Sequence, residues 1–134
     1  MRINMSTVSR LLGLILIGAA LSGCRTSAQP TPTATVGLKI TLEAASLKTG
    51  PTTLMITVLD AEGKPINDAQ IEARGDMSHA GMAPSLGSVE KGVEGRYSMA
   101  FQWTMGGDWV VTVTVTLTDG RSTSQQFPFT IQSQ

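Results

Sequence analysis

Trp109-Val110-Val111-Thr112-Val113-Thr114-Val115-Thr116-Leu117-Thr118 is the most regular segment of this 134-residue chain. Apolar side chains occupy every second position from Trp109 to Leu117, and threonines fill most of the positions between them. Because successive side chains of a strand point to opposite faces, this alternation predicts a β-strand with one buried apolar face. The segment therefore indicates a fold built on sheets.

The residues after this strand predict a hairpin. Asp119-Gly120 favours a tight type I′ turn, so Ser122 to Ile131 is expected to return as a neighbouring strand. Pro128 has no backbone N–H to donate, and we therefore expect this last strand to lie at a sheet edge.

Four upstream segments also read as strands, namely residues 38–42, 52–59, 69–74 and 96–103. Three of them have apolar faces, formed by Leu38, Ile40 and Leu42, by Leu54, Ile56 and Val58, and by Tyr97, Met99, Phe101 and Trp103. Turn residues separate these segments, and no helical periodicity is present downstream of residue 35. The pattern favours an all-β fold, an immunoglobulin-like antiparallel β-sandwich of about seven strands.

The amino terminus has the pattern of a bacterial lipoprotein signal peptide, which we assign to residues 1–23. Arg2 and Arg10 precede an apolar run over residues 11–21. The small residues Ser22 and Gly23 follow this run and lie directly before Cys24, the single cysteine. The run is shorter than the roughly 20 apolar residues that a membrane-spanning helix needs. We therefore expect cleavage before Cys24 and its lipidation, which would anchor the protein to a cell membrane facing the periplasm or the exterior.

Two further regions follow the signal peptide. Residues 24–35 comprise Cys24 and a Ser/Thr/Pro tract, which is typical of an extended, flexible tether. Residues 36–134 have the size of one compact domain. With Cys24 lipidated, the mature protein has no thiol for a disulfide, a metal ligand or a nucleophile.

The charge pattern gives no indication of nucleic-acid binding. The full chain has 10 basic and 10 acidic residues. Loss of Arg2 and Arg10 with the signal peptide leaves a net charge of −2. The remaining basic residues are dispersed and form no stripe that would neutralise phosphates.

A candidate metal site lies in residues 75–84, GDMSHAGMAP, which we interpret as a loop. This segment contains Met77, Met82 and His79, the only histidine of the chain. Thioether sulfur is a soft neutral ligand and imidazole a borderline one, so the three side chains suit copper as Cu(I). A zinc site would be expected to use more histidine, cysteine or carboxylate ligands.

Met105 is a candidate fourth ligand, because it lies in a second predicted turn between Trp103 and Trp109. An indole face near the site would stabilise a bound cation and shield Cu(I). The alternative is that these methionines fill gaps at the open end of the sandwich and contact the indoles without any metal. Met99 shares a strand face with core aromatic residues, and Trp109 heads the apolar face of its strand, so both are predicted to pack in the core.

The order of these motifs resembles the YtkA-like domain family, which is akin to FixH-like domains. The motifs are Thr49-Gly50-Pro51, Asp60-Ala61-Glu62-Gly63-Lys64-Pro65-Ile66, the Met/His loop, Gly95-Arg96-Tyr97 and Met105-Gly106-Gly107-Asp108-Trp109. The resemblance implies a small immunoglobulin-like sandwich outside the cytoplasm, often tethered and found in copper handling and metal efflux. By motif matching it implies roles for Met77, His79, Met82 and Met105.

Two functions follow as expectations. The first is a lipid-anchored copper chaperone or buffer that passes Cu(I) to a copper exporter or to an oxidase under assembly. The second is a metal-free structural or protein-interaction module of the cell envelope. We do not expect an enzyme, because the chain has one histidine, no free thiol and no Gly-x-Ser-x-Gly nucleophile elbow.

Overall fold

The computed structural model describes residues 36–79 and 81–134. These residues form seven strands: β1 (Lys39–Ala44), β2 (Gly50–Leu59), β3 (Gln70–Met77), β4 (Ser85–Val89), β5 (Arg96–Trp103), β6 (Gly107–Thr116) and β7 (Ser122–Ile131). One sheet has the order β1-β2-β5 and the other the order β4-β3-β6-β7, and all neighbouring strands are antiparallel. The predicted all-β, immunoglobulin-like sandwich is confirmed.

The predicted signal peptide, the lipidation site Cys24 and the tether lie outside the described residues. Within the described part of the chain, no helix is long and apolar enough to cross a membrane.

The core lies between the inner faces of the two sheets. It is built from the alternating positions that the sequence indicated, and the largest wholly buried side chains come from β2, β3, β5 and β6: Leu54, Ile56, Val58, Ile71, Tyr97, Trp103, Trp109, Val111, Val113 and Val115. Each such apolar side chain contributes roughly 1.5–3 kcal/mol when it is fully buried. β7, which contains Pro128, is at a sheet edge as predicted.

The β6–β7 connection differs from the predicted type I′ turn. A type I′ turn requires positive φ at both central residues, but only Gly120 has a positive φ, of 85°. Leu117 N–H donates to Arg121 O at 2.8 Å, which closes a loop of three residues rather than two. The Asp119 carboxylate accepts hydrogen bonds from the Arg121 backbone N–H at 3.0 Å and from its Nε at 2.8 Å. These bonds lower the pKa of Asp119, the backbone bond most strongly.

The sequence did not locate strand β4. Its sequence, SLGSV, contains two serines and a glycine, which hide the apolar alternation. Gly87 allows β4 to lie close to β5, because a Cβ at this position would be 2.9 Å from Met99 Sδ and 3.1 Å from Ala100 O. Ser85 Oγ donates to Gln102 O at 2.6 Å. These contacts join the edges of the two sheets along one side of the sandwich.

The two ends of the sandwich differ in charge. Segments 45–49, 78–84, 104–106 and 132–134 lie at one end, here called the methionine end, where Lys48 is the only Asp, Glu, Lys or Arg residue in these segments. Segments 60–69, 90–95 and 117–121 lie at the opposite end, here called the charged end, and contain nine such residues. Val36, which connects to the residues preceding the domain, is at the charged end, because Lys39 pairs with Leu59 there.

Candidate metal site at the methionine end

Strand β3 extends further than the sequence indicated. Residues 75–77 continue the pairing with β6 up to Met77, which lies opposite Trp109, so the prediction that residues 75–84 form a loop is wrong for these three. Gly75 is buried within the strand, and a Cβ there would lie 2.7 Å from Phe101 Cζ. The glycine is therefore required for close packing on Phe101 and does not end the strand. The loop begins at Ser78.

Met77 is half-buried and packs against the core. Its Cε lies over Gly107, 3.1 Å from the position that a Cβ of residue 107 would occupy. Gly107 is two residues beyond Met105. The Met77 methyl group therefore lies beside the residue that follows the turn carrying Met105.

The start of the β3–β4 loop is held to β6 and β7. Ser78 donates from its backbone N–H at 3.1 Å and from Oγ at 3.2 Å to the same acceptor, the carbonyl oxygen of Asp108. The Asp108 carboxylate in turn accepts a hydrogen bond from Thr130 Oγ1 at 2.8 Å. This arrangement fixes the backbone next to Met77 across three strands. The sequence does not reveal this role of Ser78 and Asp108, because the two residues meet only through the pairing of β3 with β6.

The other three candidate ligands are exposed. His79 and Met82 belong to the loop that begins directly after Met77, and Met82 is 40% exposed. The Met105 side chain is 48% exposed, while its carbonyl oxygen accepts a hydrogen bond from Trp109 Nε1 at 3.1 Å. All four predicted residues therefore lie at the methionine end, Met77 on a strand and the others on connecting segments.

The two tryptophans belong to the core beneath this end. Their rings pack edge to face with centroids 5.4 Å apart, and Trp103 also contacts Phe101 and Phe129. Trp103 is 0% and Trp109 1% exposed, so the predicted packing role of Trp109 is confirmed. The rings consequently offer almost no free surface for the cation contact that the sequence suggested.

The donor set fits a soft ion better than a hard one. Among residues 36–79 and 81–134, no three His, Cys, Asp or Glu side chains are grouped so that they could hold a metal ion. The nearest carboxylate in sequence, Asp76, is bound on both oxygens by Arg74, whose Nε lies 2.9 Å from Asp76 Oδ2. The hydrogen bond to Asp76 also raises the pKa of Arg74. The four candidate side chains are three thioethers and one imidazole, which are soft and borderline donors.

The methionines outside this end behave differently. Met99 is 3% exposed and belongs to the core, as predicted. Met55 is half-buried on the outer face of β2, near Arg96 and Glu43. The candidate site thus contains the two most exposed methionines among the described residues.

The fold and this site define a small immunoglobulin-like domain with soft donor atoms at one end. The family model described as YtkA-like matches residues 34–114, which is more than half of the chain, and the protein belongs to this family. The match extends from before β1 into β6 and includes Met77, His79, Met82 and Met105. Strand β7 lies beyond it.

Two solved structures are similar to the chain at low identity. One is MtrC from Shewanella baltica OS185, with 16% identity and a TM-score of 0.44, where the similarity covers 71% of this chain and 22% of MtrC. The other is murine CRIg, with 12% identity and a TM-score of 0.41, covering 72% of this chain and 98% of CRIg. The chain thus spans about a fifth of the length of MtrC. No curated protein matches it.

Proposed function

We propose that this YtkA-like protein is a lipid-anchored, extracytoplasmic copper-binding domain that acts as a chaperone or buffer for Cu(I). Met77, His79, Met82 and Met105 would hold the ion. The observation that carries the proposal is the exposure of Met82 and Met105, at 40% and 48%, at the same end as the single histidine, where Lys48 is the only charged side chain of the connecting segments. The exposed thioethers are accessible to an ion from solvent.

The protein groups suit this role chemically. Thioether sulfur is neutral and needs no deprotonation, so methionine ligands bind Cu(I) without releasing protons. Met77 is the ligand held most firmly, because its strand is paired and its methyl group rests on Gly107. Met82 and His79 lie on the longer loop, which is suited to taking up or giving away an ion.

The position of the candidate ligands, opposite the point where the chain enters the domain, supports a delivery role. The chain enters the domain through Val36 at the charged end, and the candidate ligands lie at the other end of strands that are up to ten residues long. Ten residues of strand span roughly 33 Å. An anchor at Cys24 would therefore join the domain at the end opposite the candidate ligands, and a flexible tether would leave these ligands free to reach a partner. A copper exporter or an oxidase under assembly is the class of partner that could receive the ion there.

The double substitution Met77→Leu/Met82→Leu tests copper binding. Leucine keeps the apolar volume and removes the sulfur, which separates ligation from packing. We expect the variant to keep the β-type circular dichroism of the wild type and to lose Cu(I) to a chelator of known affinity. Met55→Leu, on the outer face of β2, is the matched control and should retain Cu(I). Failure of the wild type to retain Cu(I), or equal retention by the double variant, would contradict the proposal.

The anchor is tested separately with Cys24→Ser. We expect the wild type to fractionate with membranes and to carry acyl groups at its amino terminus, and the variant to lose both properties. An unmodified Cys24 in membrane-bound wild-type protein would show that no lipid anchor forms.

A metal-free interaction module remains the second candidate. It is favoured by one further observation, which is that Leu47, at 45% exposure, lies at the same end as Met82 and Met105. Exposed apolar side chains at one end, whose connecting segments carry Lys48 as their only charged side chain, would suit a protein contact surface. A wild-type protein that fails to bind Cu(I) would favour this function.

A further inference from the structure

We propose that Met82 and Met105 are sites of reversible oxidation by hydroperoxides, and that conversion of these two thioethers to sulfoxides abolishes soft-metal binding at the methionine end. The oxidation itself depends only on the exposure of the sulfur-bearing side chains. Its effect on metal binding rests on the proposed function.

The methionines in residues 36–79 and 81–134 differ in their exposure to solvent. Met105 and Met82 are 48% and 40% exposed, Met77 and Met55 are half-buried, and Met99 is 3% exposed in the core. Oxidation of methionine follows the access of the oxidant to sulfur. The exposures therefore predict the order in which the methionines of one molecule are oxidised, with Met105 and Met82 first and Met99 last.

The local contacts explain why Met77 would react after the two exposed residues. Its side chain packs against the core, and its methyl group lies over Gly107. Met82 lies on the β3–β4 loop, and Met105 lies in the β5–β6 turn, where its carbonyl oxygen accepts the Trp109 Nε1 hydrogen bond. These two residues are more exposed than Met77, so a small oxidant has easier access to them.

The reaction is a two-electron oxidation of sulfur. A sulfur lone pair attacks the terminal oxygen of the hydroperoxide, the O–O bond breaks and one S–O bond forms. The proton on the transferred oxygen moves to the leaving oxygen, which departs as water when the oxidant is hydrogen peroxide, so one sulfide and one peroxide give one sulfoxide and one water molecule. Methionine sulfoxide reductases reverse the change.

The same lone pair is the one that would bind the metal. A sulfoxide presents a polar oxygen in place of a soft sulfur, so oxidation of Met82 and Met105 would leave Met77 and His79 as the only soft or borderline donors. Conversely, a sulfur that is bound to a soft ion is not available to attack a peroxide. Metal loading and oxidation are therefore mutually exclusive at these two residues.

Limited hydrogen peroxide treatment of the purified protein, followed by peptide mass spectrometry, tests the proposal. Ag(I) serves as the probe because it is a soft ion without redox cycling. We expect oxidation of Met82 and Met105 before Met55 and Met99, slower oxidation of both with Ag(I) bound, and no effect of Ag(I) on Met55. Oxidised protein should lose Ag(I) retention and regain it after treatment with the two sulfoxide reductases MsrA and MsrB.

The outcomes separate this inference from the proposed function. Oxidation of Met82 and Met105 no faster than that of Met99 would overturn the inference whatever the metal result. Rapid oxidation of both without protection by Ag(I), in a protein that does not retain Ag(I), would uphold the oxidation sites and overturn the metal site. Retention of Ag(I) by protein already oxidised at both residues would overturn the predicted effect on binding.

Discussion

Gly50 and Gly107 have the same backbone torsion, φ = 129°, and each is the first residue of its strand. Their surroundings differ. A Cβ on Gly50 would meet only Gln134 Nε2, at 3.7 Å, whereas a Cβ on Gly107 would lie 3.1 Å from Met77 Cε. Gly50 is therefore needed only for the backbone conformation, whereas Gly107 also sets the position of Met77, a candidate ligand.

This difference makes Gly50→Ala a matched control for Gly107→Ala. Both substitutions place a Cβ at a φ that non-glycine residues rarely adopt, so each should lower the free energy of unfolding by about 1–3 kcal/mol. Only Gly107→Ala should also displace the Met77 thioether and weaken Ag(I) binding. Chemical denaturation and a competition titration measure the two effects. Equal Ag(I) affinities in the two variants would show that the position of Met77 is unimportant.

Ser78 offers a milder test of the same region. Ser78→Ala removes the Oγ hydrogen bond to Asp108 O and leaves the backbone one, so stability should fall by about 0.5–1.5 kcal/mol at most. If the contact positions the loop, Ag(I) affinity should fall by up to about tenfold, the equivalent of 1.4 kcal/mol. Ser78→Thr keeps the hydroxyl and should retain affinity. Loss of affinity in both variants would point to steric disturbance of the loop instead of the hydrogen bond.

The regular strands were predictable from the sequence because burial imposes a period of two on them. β5 and β7 have the predicted bounds, and the apolar positions of β2, β5 and β6 are the core. Tyr97, Met99, Phe101 and Trp103 illustrate the rule, since a strand buried on one face exposes the residues between them. In such strands, the alternation of apolar and polar residues is sufficient to predict both the strand and its buried face.

The features that the sequence did not reveal depend on contacts between distant segments. Gly75 was predicted to lie in a loop and Gly87 gave no strand signal, but each lies in a strand where another strand approaches too closely for a Cβ. The same holds for Ser78 and Asp108, which are 30 residues apart and meet only because β3 pairs with β6. The candidate ligands themselves could be named from their side-chain chemistry, whereas the residues that position them could not.

A substitution at Val113 tests the assignment of the hydrophobic core. It is 0% exposed at the centre of β6, where it faces the opposite sheet. Val113→Asp buries an unpaired carboxylate and should lower the stability by more than about 4 kcal/mol, enough to unfold many domains. Val93→Asp is the matched control, because Val93 is 77% exposed. Circular dichroism at rising temperature should show a folded control and an unfolded or strongly destabilised Val113 variant, and similar melting of the two would contradict the assigned core.

The hydroxyl of Tyr97, the only tyrosine, links β5 to the segment before β3. It donates to Ile66 O at 2.7 Å and accepts from the Ala69 backbone N–H at 3.1 Å. Burial raises the pKa of Tyr97 above its usual value, with the Asp68 charge acting in the same direction and the Ala69 hydrogen bond opposing it. The folded state therefore favours the neutral phenol.

A raised folded-state pKa implies loss of stability at alkaline pH. The contribution of neutral Tyr97 is fully present below the unfolded pKa of about 10 and declines as the pH rises through the folded pKa. Tyr97→Phe should cost about 1–3 kcal/mol at neutral pH, because the buried Ala69 N–H loses its partner. The stability difference between wild type and variant should then shrink above pH ~10. Denaturation over this pH range measures the difference, and tyrosinate absorbance reports the titration of this single residue. A difference that stays constant, or a phenol that titrates at its ordinary pKa, would contradict the role of this buried hydroxyl.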